Sequence, residues 1–147
     1  MGKQRVLFLC TGNSARSQMA EGLVNRFLSE SWEAHSAGVT PAERVHPFAV
    51  AAMAELGIDI STHTPKSIEA FRDHPLDVVI TVCDHAAKHC PAWLGKGKVV
   101  HIGFPDPAAA EETVKMEVFR TVRDALKQQV LDFLVQWKLD DPIFFID

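Results

Sequence analysis

Short apolar runs alternate along this chain with longer stretches in which apolar residues recur every three or four positions. RVLFL, Arg5 to Leu9, is apolar after its first residue, the pattern of a strand buried on both faces. A short polar loop follows. Then Met19, Leu23 and Phe27 recur at four-residue spacing, with Leu28 beside them and Glu21, Asn25 and Arg26 on other faces, which predicts an amphipathic helix. Ala34 to Val39 reads as a second strand, ended by Gly38 and the Thr40-Pro41 turn. HPFAVAAMAELG is a punctuated helix, with Pro47 in its first turn and Gly57 at its exit. A weaker helical segment from Ser67 to Arg72 leads into DVVITV, Asp77 to Val82, a third strand, and KVVHI, Lys98 to Ile102, is a fourth. From Glu111 to about Lys138, the residues Val114, Val118, Val122, Leu126, Val130, Leu134 and Trp137 trace one face of a long helix.

Strands alternating with helices imply an α/β fold, a four-stranded parallel sheet flanked by helices on both faces. No internal repeat or linker-like stretch interrupts residues 1–147, so a single domain is expected. In such folds a ligand binds outside the carboxyl ends of the strands. Cys10, Cys83 and the Pro105-Asp106-Pro107 loop each directly follow a predicted strand, and are therefore expected on one edge of the sheet.

Composition narrows the partners. The 147 residues are 47% hydrophobic and 23% charged with a formal net charge of −4, ordinary globular usage. Without a basic block, nucleic acid and anionic lipid are not expected partners. The absence of a membrane-length apolar stretch or a signal-peptide pattern points to a cytoplasmic protein. In a reducing compartment, three cysteines are more readily catalytic, redox-active or simply buried than permanent staples.

The loop between the first strand and the first helix is CTGNSARS, Cys10 to Ser17. Small residues there let several backbone N–H groups converge, and the following helix adds its partial positive charge. Such a concavity suits a tetrahedral oxyanion. Thr11, Gly12, Asn13, Ser14, Ala15, Arg16 and Ser17 are the expected substrate-binding residues, with Arg16 supplying a planar fork for two oxygens. The same field stabilises a thiolate at Cys10, with Ser17 positioned to donate its hydroxyl to it. The chemistry implied is in-line attack by sulfur on the bound oxyanion. A buried thiol beside a surface arginine would give the bare pair of residues too; the strand before and the helix after favour the nucleophile.

Cys83 and Cys90, in VCDHAAKHCP, stand seven positions apart, about 10 Å along a continuous helix. That exceeds disulfide reach, so a bridge would require the segment between them to unwind. The arrangement is a poor staple and a workable switch. A metal reading of Cys83, His85, His89 and Cys90 is disfavoured, because the two histidines face away from Cys83 in helical register. No metal is expected.

CTGNSARS resembles the phosphate loop of the low-molecular-weight protein tyrosine phosphatase fold. Continued through QMAEG, SAGV, LGIDIS, the later cysteines, GFPDPA and FRTVRDAL, it is similar to the thioredoxin-coupled arsenate reductases built on that fold. The resemblance implies that Asp106 is a general acid. It implies a relay in which Cys10 attacks arsenate, Cys83 attacks the Cys10 adduct, and Cys90 takes over the disulfide. An external thiol reductant, thioredoxin or alternatively glutaredoxin, would then reduce the final pair, with no tightly bound cofactor. Phosphate and sulfate would act as substrate analogues. The alternative is a low-molecular-weight phosphatase using Cys10, Arg16 and Asp106. Ala108 stands where those phosphatases typically carry a tyrosine, and the chain has no tyrosine at all. Some members of the family also bind potassium near the loop. Asn13, Glu21 and Ser36 match three of its ligands, whereas Lys66 replaces an aspartate, so an ammonium is expected where the cation would sit. Without a cation, Asn13 and Glu21 read as a pair bracing the loop.

Overall fold

The computed structural model describes residues 2–83, 93 and 95–137. Its order is β1 (Gln4–Cys10), α1 (Arg16–Phe27), β2 (Trp32–Gly38), α2 (Pro47–Ala54), a 3-10 turn (Ile68–Phe71), β3 (Val78–Thr81), β4 (Lys98–His101), a second 3-10 turn (Pro107–Ala109) and α3 (Lys115–Val135). The strands form one parallel sheet in the order β2-β1-β3-β4. Successive connections thus leave β1 in opposite directions, to β2 on one side and β3 on the other. The crevice this opens beyond the carboxyl ends of β1 and β3 is where such sheets bind ligands.

Alternation along β1 divides its side chains between two cores. Val6, Phe8 and Cys10 enter the larger one, with Met19, Leu23 and Val24 of α1, Ala49, Ala52 and Met53 of α2, and Phe119, Leu126 and Val130 of α3. Leu7 and Leu9 enter the smaller one, with Ala37, Phe71, Leu76 and Val79, against which Ile68 and Trp93 pack. Among the described residues, helices α1, α2 and α3 therefore lie on the first face, and the 3-10 turn covers the second. That turn occupies the weak helical segment of the sequence, with Ser67 Oγ accepting the N–H of Glu69 as its cap. The apolar strands are explained by this double coverage.

Two amphipathic stripes differ from their expected form. Phe27, the last member of the α1 stripe, is 42% exposed; its ring lies under Lys127 Nζ at 4.7 Å and near Arg26 Cζ at 5.8 Å, an apolar surface masked by cations. Helix α3 begins at Lys115 rather than Glu111, because Asp106 first caps the 3-10 turn by accepting Ala108 N–H at 3.0 Å and a further turn closes from Val114 N to Glu111 O. Its buried face is Phe119, Val122, Leu126, Val130 and Leu134, while Val114 is exposed. Cys90, His85, His89, Lys138 and the apolar tail Ile143 to Ile146 lie outside the described residues. No helix among the described residues is long and apolar enough to cross a membrane.

Helix α2 is clamped to α3 by charge. Arg123, buried, donates to the Ala52 carbonyl at 2.9 Å and to Glu55 Oε1 at 2.7 Å, and Arg120 grips both oxygens of Glu55. The Ala52 carbonyl is one of those left unpaired at the end of a helix. Replacing Arg123 with alanine removes that partner and the packing of its stem, and is expected to cost about 2 kcal/mol in urea unfolding. A loss below about 0.5 kcal/mol would mean that the clamp behaves as an ordinary surface pair.

Candidate active site

The loop that joins β1 to α1 is held from outside by the segment that follows β2. Thr40 N donates to Thr11 O, Ala42 N to Gly12 O and His46 N to Ser14 O, each at 2.9 Å. In a trans peptide the carbonyl and the next N–H point opposite ways. Anchoring these three carbonyls outward therefore turns the N–H groups of Gly12, Asn13 and Ala15 inward, and Asn13 N is found donating to Cys10 Sγ at 3.2 Å. Ala15, the N-cap of α1, offers no side-chain cap, and no acidic residue occupies the first turn. The helix N-terminus is left open to an anion.

Asn13 is the loop's internal brace. It is fully buried with φ 52°, a left-handed conformation that asparagine tolerates better than bulkier residues. Its Oδ1 accepts from Lys66 N at 2.8 Å and Gln18 Nε2 at 3.0 Å, and its Nδ2 donates to Ser17 Oγ at 2.8 Å. Ser17 Oγ stands 2.8 Å from Cys10 Sγ. Since that oxygen already accepts from Asn13, its own hydrogen is available to the sulfur. Cys10 thus has two donors aimed at it, the arrangement a thiolate needs.

Arg16 opens α1. Its Nη1 donates to Phe104 O at 3.1 Å and its Nη2 lies 4.0 Å from Asp106 Oδ2, leaving further guanidinium N–H groups for an oxyanion. Asp106 spends one oxygen on Ala108 N and turns the other toward Arg16, with a side chain 46% exposed. Cys83 follows β3 at the same edge. Leu9 pairs with Thr81, and Val82 N donates to Leu9 O, so Cys83 lies just past the end of the strand next to that of Cys10, one position beyond its level. Neighbouring strands are about 4.8 Å apart. Cys10 is 3% exposed and Cys83 1%.

Further hydrogen bonds link the loop to the surface. Gln18 Nε2 also meets Asn13 O and Thr64 O, and its Oε1 lies 3.1 Å from His63 Nδ1. Ser36 Oγ donates to Glu21 Oε1 at 2.5 Å, with Lys66 Nζ 3.8 Å from the same oxygen and His63 Nδ1 3.7 Å from Glu21 Oε2. The Lys66 ammonium supplies the positive charge beside Glu21, so these residues do not suit a potassium ion as well. Among the described residues, no group of three or more His, Cys, Asp and Glu is arranged to hold a metal.

Gln18, His63 and Gly38 are the contributors that sequence patterns left without a role. Gln18 stands two positions after Arg16 on a helix that otherwise reads as core, and His63 joins it only through the fold. Gly38 could have been suspected from ending a strand. A Cβ there would lie 2.6 Å from Thr11 O and 2.8 Å from Asn13 N, so the loop crosses directly over its backbone.

Residues 5–141 match the low molecular weight phosphotyrosine protein phosphatase family. An arsenate reductase of Halalkalibacterium halodurans is 47% identical over 135 residues, covering 90% of this chain and 96% of the relative. A solved arsenate reductase in its phosphate-binding state superimposes with a TM-score of 0.78 at 36% identity, covering 92% of this chain and 99% of that one. A thioredoxin-dependent arsenate reductase of Corynebacterium glutamicum gives a TM-score of 0.61 at 26% identity, covering 92% of this chain and 64% of that one.

The Gly38 contacts generate a test that needs no knowledge of the reaction. Because the atoms a Cβ would meet are main chain, Gly38→Ala must displace the loop. Phosphate affinity, measured by calorimetry, is expected to fall roughly ten-fold or more, about 1.4 kcal/mol. Unchanged affinity would mean that the loop does not bind the anion.

Proposed function

Because this chain belongs to the low molecular weight phosphotyrosine protein phosphatase family, we propose that its loop carries out the reaction of the arsenate reductases within it. The observation that carries this reading is a second buried thiol, Cys83, two residues beyond the end of β3, the strand that adjoins that of the Cys10 nucleophile. Hydrolysis of a phosphate ester requires only the first of these thiols, Cys10. Arsenate enters with its oxygens on the inward N–H groups and the Arg16 fork. The Cys10 thiolate attacks arsenic, and Asp106 gives a proton to the departing hydroxide, which leaves as water. Cys83 then attacks Cys10 sulfur. The electron pair of the sulfur–arsenic bond stays on arsenic, which leaves as arsenite, and a Cys10–Cys83 disulfide remains. Cys90 attacks Cys83, forming Cys83–Cys90 and returning Cys10 as thiolate. Thioredoxin, the dithiol used by the Corynebacterium glutamicum relative, reduces that last disulfide.

The phosphatase alternative keeps Cys10, Arg16 and Asp106 in the same roles but lacks an aryl pocket built on tyrosine, since Ala108 follows the Asp106-Pro107 pair. Arsenate-dependent consumption of reduced thioredoxin separates the two. Cys10→Ser and Cys83→Ser are each expected to abolish arsenite production, at least about 10³-fold. Cys90→Ser is expected to release one arsenite per chain and stop. Sustained turnover by Cys90→Ser with thioredoxin would overturn the three-cysteine relay, and turnover sustained by glutaredoxin and glutathione alone would reassign the reductant.

The ammonium of Lys66 beside Glu21 also bears on salt dependence. With that charge built in, kcat/KM for arsenate is expected to agree within about two-fold between sodium and potassium buffers of equal ionic strength. Marked activation by potassium would place the ion in the site despite Lys66.

A further inference from the structure

His46 joins the anion loop to α2. Its main-chain N–H donates to Ser14 O at 2.9 Å, while its ring Nδ1 accepts the N–H of Phe48 at 3.0 Å as the N-cap of the helix. A ring nitrogen that accepts carries no proton, so the cap fixes a neutral imidazole with its hydrogen on Nε2. The residue has φ −62° and ψ 131° and precedes Pro47, whose ring restricts how the backbone of His46 can turn. The imidazole packs 4.7 Å from the Phe119 ring of α3 and 5.5 Å from Phe48. The charged groups around it are Lys115 at the start of α3, Asp106 and Glu112 between β4 and α3, and Arg44 on its own segment. Burial first, and the Lys115 ammonium second, hold its pKa below the ordinary 6.5 against the opposing pull of Asp106 and Glu112.

We propose that neutral His46 is a positioning residue for the oxyanion: its ring fixes the start of α2, and through that cap its main-chain N–H keeps Ser14 O turned outward and Ala15 N–H turned toward the substrate. The proposal rests on the loop being an oxyanion cradle and not on the cysteine relay. Protonation puts a hydrogen on Nδ1 facing the Phe48 N–H, which ends the cap and loosens the hold on Ser14. Because the folded state favours the neutral ring, the anchored arrangement is present in full above pH 6.5 and is lost as pH falls through the depressed folded-state value. A helix cap on an anion loop thereby gives oxyanion binding an acid limit.

The test uses sulfate, whose charge is constant over the range, and calorimetry on the wild-type chain and His46→Asn near pH 8 and at the lowest pH below 6.5 at which both chains remain folded. Asparagine caps through a neutral oxygen at both pH values, and any other acid-dependent change in the loop is common to both chains. The acid-to-alkaline ratio of dissociation constants is expected to be roughly five-fold larger in the wild type, the effect of one ordinary cap. His46→Ser, also a capping residue, should behave as asparagine does and guards against a folding defect peculiar to either variant. Equal ratios in wild type and variants would overturn the proposal. So would tighter acid binding in the wild type, which would make His46 an attracting charge instead of an anchor. Failure of every chain to bind sulfate would remove the cradle and this proposal with it, whereas failure of arsenate turnover with the ratio intact would refute only the relay.

Discussion

Three hydrogen bonds from the main chain of residues 40–46 to the carbonyls of Thr11, Gly12 and Ser14 set the chemistry of this molecule. A peptide loop has no intrinsic reason to point its N–H groups one way, because every inward donor obliges a carbonyl to face outward and find a partner. Here the partners belong to the stretch after β2, so the parallel pairing of β1 with β2, down to Cys10 opposite Gly38, is what brings them within reach. Gly38 is part of the same constraint. With a side chain at that position the loop could not descend onto the end of β2, and the donors would not converge on the sulfur. The strand order and the anion loop are one piece of architecture.

Inside that frame, the polar groups at the loop are connected with little redundancy. Asn13 uses its side-chain oxygen for two donors and its nitrogen for Ser17, which leaves the serine hydrogen for Cys10. Removing any one member would strand a buried donor or acceptor, which costs more than the bond itself contributes. This explains an asparagine in left-handed backbone at the centre of the loop. The same side chain that tolerates the turn also satisfies the groups that the turn exposes.

Much of this was legible in the sequence because the signals were local. Buried strands wrote themselves as apolar runs, a proline marked the first turn of α2, and the small residues after Cys10 marked the loop whose carbonyls turn outward. Phe27 misled because a four-residue repeat records which face a side chain occupies and not whether another element covers it. Phe119 was passed over because it lies one position off the valine stripe, although it is fully buried against His46 and Phe48. Gln18 and His63 were illegible for a different reason. Their roles exist only where α1 meets the residues before the first 3-10 turn, a long-range contact that no spacing encodes.

Burial of the two described thiols has a chemical consequence for the electrons. Cys10 and Cys83 are both shielded from solvent, which suits the proposed attack of one on the other, since water would be kept from the arsenic adduct. The same shielding would trap the product. A protein reductant must bring its own thiolate in line with a disulfide sulfur, and a bridge between two thiols as buried as these would hinder its approach. A chain with only two cysteines here could turn over once and remain oxidised. A third thiol able to draw the disulfide off Cys83 resolves this, and Cys90 is the one cysteine left in the sequence. In the proposed relay the external dithiol supplies two electrons to the last disulfide, and Cys10 is returned to its loop as a thiolate.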